Sequence, residues 1–230
     1  MDIRLTLLDG FELMCGGKPL PLPRSSQRLV AFLALHDRPL LRLYVAGVLW
    51  LDSSEERSCA NLRSALWRLR GPKTQIVEAS TTHVRLGREV VVDVRSLVSA
   101  ARCLLDPETL AEELAIDGET LEGDLLPDWY DEWVEEERER LRQLRAHALE
   151  SLADRLAQAG RYGQAVEAGL AAIRADPLRE SAHRALIRVH LAEGNPGEAV
   201  RHYRAFQARI KRELGLAPSP RMEDLVRGLA

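Results

Sequence analysis

The first 22 residues of the chain alternate short apolar runs with glycine-containing turns. The runs at residues 3–8, 11–14 and 18–22 have the length and alternation of β-strands, and Asp9-Gly10 and Gly16-Gly17 lie between them as turn signals. We therefore predict a small β-sheet at the N-terminus.

Helical spacing of apolar residues replaces this alternation after residue 24. Helices are predicted in residues 25–36, from about Leu43 to Leu51, and from the capping segment "DSSEER" to Gly71-Pro72. A β-hairpin and a returning strand are predicted next, in "TQIVEAS" and "HVRLGREVVVDV", with the hairpin tip near Ser80 to Thr82. Three helices followed by a hairpin form the pattern of a winged-helix domain.

The second half of the chain is predicted to be all helical. The motif G-x-x-G-x-A-V occurs at residues 160–166 and 194–200, and this offset of 34 residues is the period of tetratricopeptide (TPR) helical hairpins. We expect Trp129 and Trp133, four residues apart, to pack against the first of these helical hairpins. Helices are predicted near residues 107–115, 127–159, 163–175, 177–193, 196–214 and 219–229.

The third helix has two distinct faces on a helical wheel at about 100° per residue. The face predicted to be buried contains Cys59, Leu62, Ala65, Leu66 and Leu69. The opposite face carries a polar stripe, which consists of Arg57, Asn61, Ser64 and Arg68. At about 1.5 Å per residue the stripe spans about 16 Å, or about five base pairs of a major groove. Because arginine binds guanine edges and asparagine binds adenine edges, these side chains are candidates for base recognition.

Further candidate DNA contacts lie beside the stripe and on the hairpin. Arg63 and Arg70 flank the stripe, where they suit phosphates better than bases. The hairpin tip is a candidate wing that reaches an adjacent minor groove or the backbone. The candidate backbone and wing contacts are Arg63, Arg70, Lys73, Thr81, Thr82, His83 and Arg85.

The polar stripe has a second interpretation, because most amphipathic surface helices carry a solvated polar face. DNA binding is favoured because the stripe is basic without compensating acids after Glu56 and because a hairpin follows it. Trp67 lies at the border of the two faces. We expect its ring to pack between the third helix and the hairpin rather than to stack on a base.

Charge and motifs narrow the functional classes. Residues 1–98 contain 14 Lys and Arg against 10 Asp and Glu, whereas residues 99–230 contain 18 against 25. The N-terminal part of the chain is therefore basic and the C-terminal part acidic.

The three cysteines lack CxxC spacing and no HExxH pair occurs, so we predict no disulfide framework, no metal site and no cofactor. We expect no enzymatic activity, since phosphate-binding and hydrolase motifs are missing. With no signal-peptide pattern and no apolar window of about 18 residues, we expect a cytoplasmic protein without membrane contact.

Two stretches carry a resemblance to known families. The segment "VAGVLWLDSSEERSCANLRSALWRLRG" resembles the second and recognition helices of an OmpR-type winged helix, in the form found in the SARP family of bacterial transcriptional activators. Leu49-Trp50 and Leu69-Arg70 match its motifs, whereas His83-Val84 stands where the wing commonly has glycine-tyrosine. The back half resembles the bacterial transcriptional activator domain (BTAD) in "GDLLPDWYDEW", "DPLRESAHRALI", "AVRHYRAF" and "RELGLAPSP".

The resemblance implies a mainly α fold with a small β part. An OmpR-like winged helix in residues 1–96 is followed by an all-α, TPR-like helical-hairpin domain, the BTAD, in residues 97–230. It also implies a transcriptional activator whose partners are double-stranded DNA, at direct repeats near promoters, and RNA polymerase, with self-association or regulatory contacts through the BTAD. The alternative is a protein-interaction adaptor in which the TPR-like domain binds a partner and the winged helix is a docking module.

Overall fold

The computed structural model describes residues 2–70, 75–106 and 121–229. The chain forms two compact units, one from Met1–Ser96 with Gly123–Arg138 and the other from Leu97–Glu122 with Glu139–Ala230. The domain limits 1–96 and 97–230 stay a prediction. Within the described ranges, no helix is long and apolar enough to cross a membrane.

The first unit is built around two small sheets and three helices. One sheet has the strand order β3-β2-β1-β7, in which β1 is antiparallel to β2 and parallel to β7. Alternation along β1 buries Ile3 and Leu5, as its sequence predicts. In chain order the elements are β1 (Ile3–Thr6), β2 (Glu12–Cys15), β3 (Lys18–Pro19), α1 (Arg24–Ala34), β4 (Leu40–Leu41), α2 (Arg42–Leu49), α3 (Glu55–Arg68), β5 (Val77–Ala79), β6 (His83–Leu86) and β7 (Val90–Val92).

The second sheet contains the predicted hairpin. Strands β5 and β6 are antiparallel around the Ser80–Thr82 tip, and β4 pairs with the outer side of β6 through Leu40 opposite Val84. Helix α3 packs against α1 and α2. This arrangement of three helices and a hairpin confirms the predicted winged helix.

A fourth helix, α4 (Asp93–Leu105), occupies a segment for which we predicted no helix. The Asp93 carboxylate accepts hydrogen bonds from the backbone N–H groups of Leu7 and Leu8 and from that of Val94, at 2.7 to 3.0 Å. The Asp93 side chain therefore marks the end of the returning strand, β7, and the start of α4. The buried residues of α4 follow helical spacing at Val94, Leu97, Ala101 and Leu104. The helix predicted near 107–115 lies outside the described residues.

The segment before α5 (Glu132–Gln158) packs differently from the prediction. The helix begins at Glu132 rather than at 127, because Leu126 has a left-handed φ of 44° and the N–H of Trp129 closes a turn on its carbonyl at 2.9 Å. The tryptophans pack on the winged helix instead of a helical hairpin. Trp129 stacks on Phe11 at 5.8 Å between ring centroids, and Trp133 meets Phe32 edge-on at 5.3 Å.

The second unit continues as paired helices. They are α6 (Tyr162–Ala175), α7 (Glu180–Glu193), α8 (Pro196–Leu214) and α9 (Pro220–Val226). Gly194 and Gly215 end α7 and α8 in the left-handed conformation, with φ of 86° and 69°. A Cβ on Gly169 of α6 would lie 3.2 Å from the side chain of Leu186 in α7, so glycine permits this close approach. The helical hairpins confirm the predicted all-α, TPR-like second part.

A buried histidine, His183, pairs with a half-buried one, His202, in this unit. His183 Nε2–H donates to the carbonyl oxygen of Pro177 at 3.0 Å, so His183 Nδ1 accepts from His202 Nε2–H at 2.9 Å. His183 also packs on the ring of Phe206 at 4.2 Å. Burial lowers the pKa of both imidazoles from 6.5, that of His202 to about 4. The neighbouring positive charge of Arg209 lowers both further.

We expect this pair to make stability depend on pH. The unfolded chain binds protons at these histidines below about pH 6.5, whereas in the folded chain both pKa values are lower and that of His202 is about 4, so stability is present above 6.5 and is lost as pH falls. For His202 alone the loss from pH 7 to pH 5 is about 2 kcal/mol. Urea denaturation at both pH values measures it. His202→Gln should remove this part of the pH dependence, whereas the exposed control His147→Gln should keep it; equal dependence in both variants contradicts the assignment.

Candidate nucleic-acid interface

Helix α3 is held with one face inward. Leu62, Ala65 and Leu66 are buried, and the C-cap residue Leu69 is also buried. The Ser26 hydroxyl of α1 donates to the carbonyl oxygen of Ala65 at 3.4 Å, which fixes α3 against α1. The inward face is therefore the predicted one, except that Cys59 is only half-buried, and the polar stripe points away from the core.

The four stripe residues lie on one side of α3. Arg57, Ser64 and Arg68 are exposed and Asn61 is half-buried. The Ser64 hydroxyl donates to the carbonyl oxygen of Ala60 at 3.0 Å, so its oxygen remains free to accept a hydrogen bond. Arg68 donates one N–H to the Ser25 hydroxyl at 3.3 Å and keeps its other donors for a ligand.

The positive charge of α3 is not neutralised by neighbours. Within the part of the chain that the structure describes, Arg57, Arg63, Arg68 and Arg70 form no ion pair and are exposed. Several arginines of the second unit do form ion pairs. For example, Arg188 pairs with Asp154 at 2.6 Å. The α3 cations thus present a local positive field that suits a polyanion. Lys73 lies outside the described residues.

The hairpin tip is an ordered turn. The Ser80 hydroxyl oxygen accepts from the backbone N–H of His83 at 2.9 Å, and the Thr82 hydroxyl contacts His83 Nδ1 at 2.9 Å. Arg42 braces the turn, because its guanidinium donates to the carbonyl oxygen of Ser80 at 3.1 Å and its backbone N–H to that of Thr82 at 2.9 Å. Thr81, Thr82 and His83 are exposed on this braced turn.

Arg85 differs from the other wing candidates. Its Nε donates to Glu78 Oε2 at 2.7 Å across the hairpin, and its Nη2 pairs with the same oxygen. This hydrogen bonding lowers the pKa of the Glu78 carboxyl below its usual range. The Arg85 charge is therefore matched within the hairpin, which the sequence pattern did not indicate.

An open groove of about 1310 Å³ separates α3 from the hairpin. The cations Arg42, Arg63, Arg68 and Arg70 line it, with Trp67 and Thr81. Our expectation that the Trp67 ring packs between α3 and the hairpin is wrong, since this residue is 72% exposed. The ring stays outside because Leu66 and Leu69 already fill the buried face and the groove beside it is open.

The described residues show no preformed metal centre. Among them, no group of three or more His, Cys, Asp or Glu side chains is placed to hold an ion. The three cysteines are all free thiols.

Comparisons with known proteins agree with this architecture. The family model of the bacterial transcriptional activator domain, BTAD, matches residues 91–229. The fold is similar to that of Mycobacterium tuberculosis EmbR, solved in complex with a low affinity phosphopeptide, with a TM-score of 0.73 and 20% sequence identity. The match covers 98% of this chain and 64% of that one. None of the curated proteins compared with the sequence matches it significantly. The chain belongs to the SARP-type family of bacterial transcriptional regulators, in which a winged helix precedes the BTAD.

Proposed function

We propose that the chain binds double-stranded DNA sequence-specifically through α3 and activates transcription. The observation that carries this proposal is a set of four exposed arginines, Arg57, Arg63 and Arg68 on α3 and Arg70 just after it, which form no ion pair with any described residue. They lie away from the buried leucines of α3 and beside a braced hairpin. A helix of this kind fits a major groove, and exposed guanidinium groups bind guanine edges and phosphates. The BTAD family supports a role in transcription.

The side chains divide into two roles under this proposal. Arg57, Asn61, Ser64 and Arg68 read base edges, because they form the stripe that faces away from the core. The contacts that hold the phosphate backbone are Arg63, Arg70, Lys73 and the hairpin-tip residues Thr81, Thr82 and His83. Arg85 contributes less than these, since Glu78 already binds it.

Membership of the same family also suggests how copies of the chain assemble on DNA and which partner they contact. Regulators that bind direct repeats near promoters place adjacent copies on one face of the DNA, so we infer self-association or regulatory contacts through the BTAD and contact with RNA polymerase. The competing adaptor function assigns no role to unpaired arginines on α3. It would leave those charges without a ligand.

Fluorescence anisotropy with labelled genomic fragments tests the proposal. We expect some fragments to bind far more tightly than others, and log affinity to fall linearly with log salt at about 0.9 per phosphate neutralised. Binding without sequence preference and without salt dependence would contradict it.

Two single substitutions separate the proposed roles. Arg68→Ala should cost about 1 to 3 kcal/mol on the preferred site and relax the preference at one base pair. Arg63→Ala should weaken all sequences about equally and reduce the salt slope by about 1. Titrations of both variants on the preferred and an unrelated duplex measure this, and the reverse pattern would exchange the two roles.

A further inference from the structure

The Trp67 side chain is unusual among those of α3. It is the only large apolar side chain of this fully described helix that is exposed, at 72%, while Leu62 and Leu66 are buried. Exposing an indole ring to water is unfavourable, and aromatic rings at protein surfaces are enriched where a partner binds. Among the described residues of the winged helix, none covers the Trp67 ring.

Its position on the helix places it next to the proposed base-reading stripe. Trp67 is three residues from Ser64 and adjacent to Arg68, and it lies about 90° from the centre of the stripe. Arg63, four residues before it, lines the same groove. When the stripe faces the floor of a major groove, Trp67 faces its wall, where one strand's bases meet their backbone.

The chemical groups along that wall determine what an apolar ring can bind there. Phosphates are charged and the edges of adenine, guanine and cytosine present hydrogen-bonding groups, whereas thymine presents a C5 methyl group in the major groove. An apolar ring gains from contact with the methyl group and gains nothing comparable from the polar edges.

We propose that Trp67 recognises a thymine by packing its indole ring against the C5 methyl group in the major groove. The inference rests on the DNA-binding function proposed above and adds a fifth base-contacting side chain to the four polar ones of the stripe. It assigns the specificity of one base pair to an apolar contact.

The test uses the full chain and its preferred duplex, obtained by selection from a random DNA pool. Each thymine of this duplex is replaced in turn by deoxyuridine, which removes the methyl group and leaves the O4 acceptor in place. We expect one replacement to weaken the wild-type protein about fourfold, the effect of losing contact with one methyl group. Trp67→Ala should bind the original duplex about fourfold more weakly and be indifferent to that replacement.

Controls separate the possible failures. Tyr130→Ala removes another exposed aromatic ring, 87% exposed, and should keep the wild-type response to deoxyuridine. Unchanged thermal melting of Trp67→Ala shows that the fold is intact. Selective binding with equal deoxyuridine penalties in wild type and Trp67→Ala, or a selected site without a fixed thymine, overturns the Trp67 inference alone. A wild-type chain that selects no sequence overturns the proposed function as well.

Discussion

The double charge reversal Arg57→Glu with Arg68→Glu is expected to abolish selective DNA binding, with a loss of at least about 100-fold on the preferred duplex. Each arginine contributes about 1 to 3 kcal/mol of base discrimination when it binds a guanine edge, and a glutamate adds repulsion from the phosphates. Neither arginine has an ion pair within the described chain to lose, so the fold should not suffer. Anisotropy titration at constant salt measures the change.

A matched control exists on helix α8. Arg201 and Arg212 are exposed and are also eleven residues apart on one helix, so Arg201→Glu with Arg212→Glu makes the same change in net charge. This control should keep selective binding. If the two double variants lose affinity equally, the effect reflects net charge rather than α3. If Arg57→Glu with Arg68→Glu keeps wild-type behaviour and the chain retains a stoichiometric protein partner, the adaptor function replaces the activator.

Trp133→Ala is expected to destabilise the first unit by about 3 to 5 kcal/mol. This residue is 8% exposed, and its ring meets both Phe32 and Trp129 edge-on, at 5.3 and 6.2 Å between centroids. Removing a buried tryptophan ring costs the transfer free energy of the ring and leaves a cavity. Urea denaturation followed by circular dichroism measures the loss.

The comparison for this variant lies three residues earlier in the same segment. Tyr130 is 87% exposed, so Tyr130→Ala should change the free energy of unfolding by less than about 0.5 kcal/mol. Similar small losses for both variants would mean that the 123–138 segment does not stabilise the winged helix. That result would contradict the packing described above.

The faces of α3 were predictable because they depend only on local spacing. The positions of Leu62 and Leu66 relative to Arg57 and Arg68 follow from about 3.6 residues per turn, whatever the surrounding fold. The helical hairpins were predictable for the same reason, since the repeat of 34 residues and the glycines after the helices are local signals.

Contacts between distant segments were not predictable from periodicity. The Asp93 carboxylate binds backbone N–H groups more than 80 residues away, and this contact sets the boundary between β7 and α4. Trp129 and Trp133 have helical spacing, yet the turn at Leu126 directs Trp129 to Phe11. The exposure of Trp67 depends on the width of the groove beside it, and the pairing of Arg85 with Glu78 depends on the hairpin register.

Guanine N7 methylation interference on the selected duplex tests directly whether α3 binds base edges in the major groove. This modification places a methyl group in the major groove, where we propose that the guanidinium groups of α3 bind. We predict that methylation of particular guanines blocks the wild-type chain, and that Arg68→Ala loses sensitivity at one of them. Selective binding that tolerates N7 methylation at every guanine would contradict recognition by α3 in the major groove.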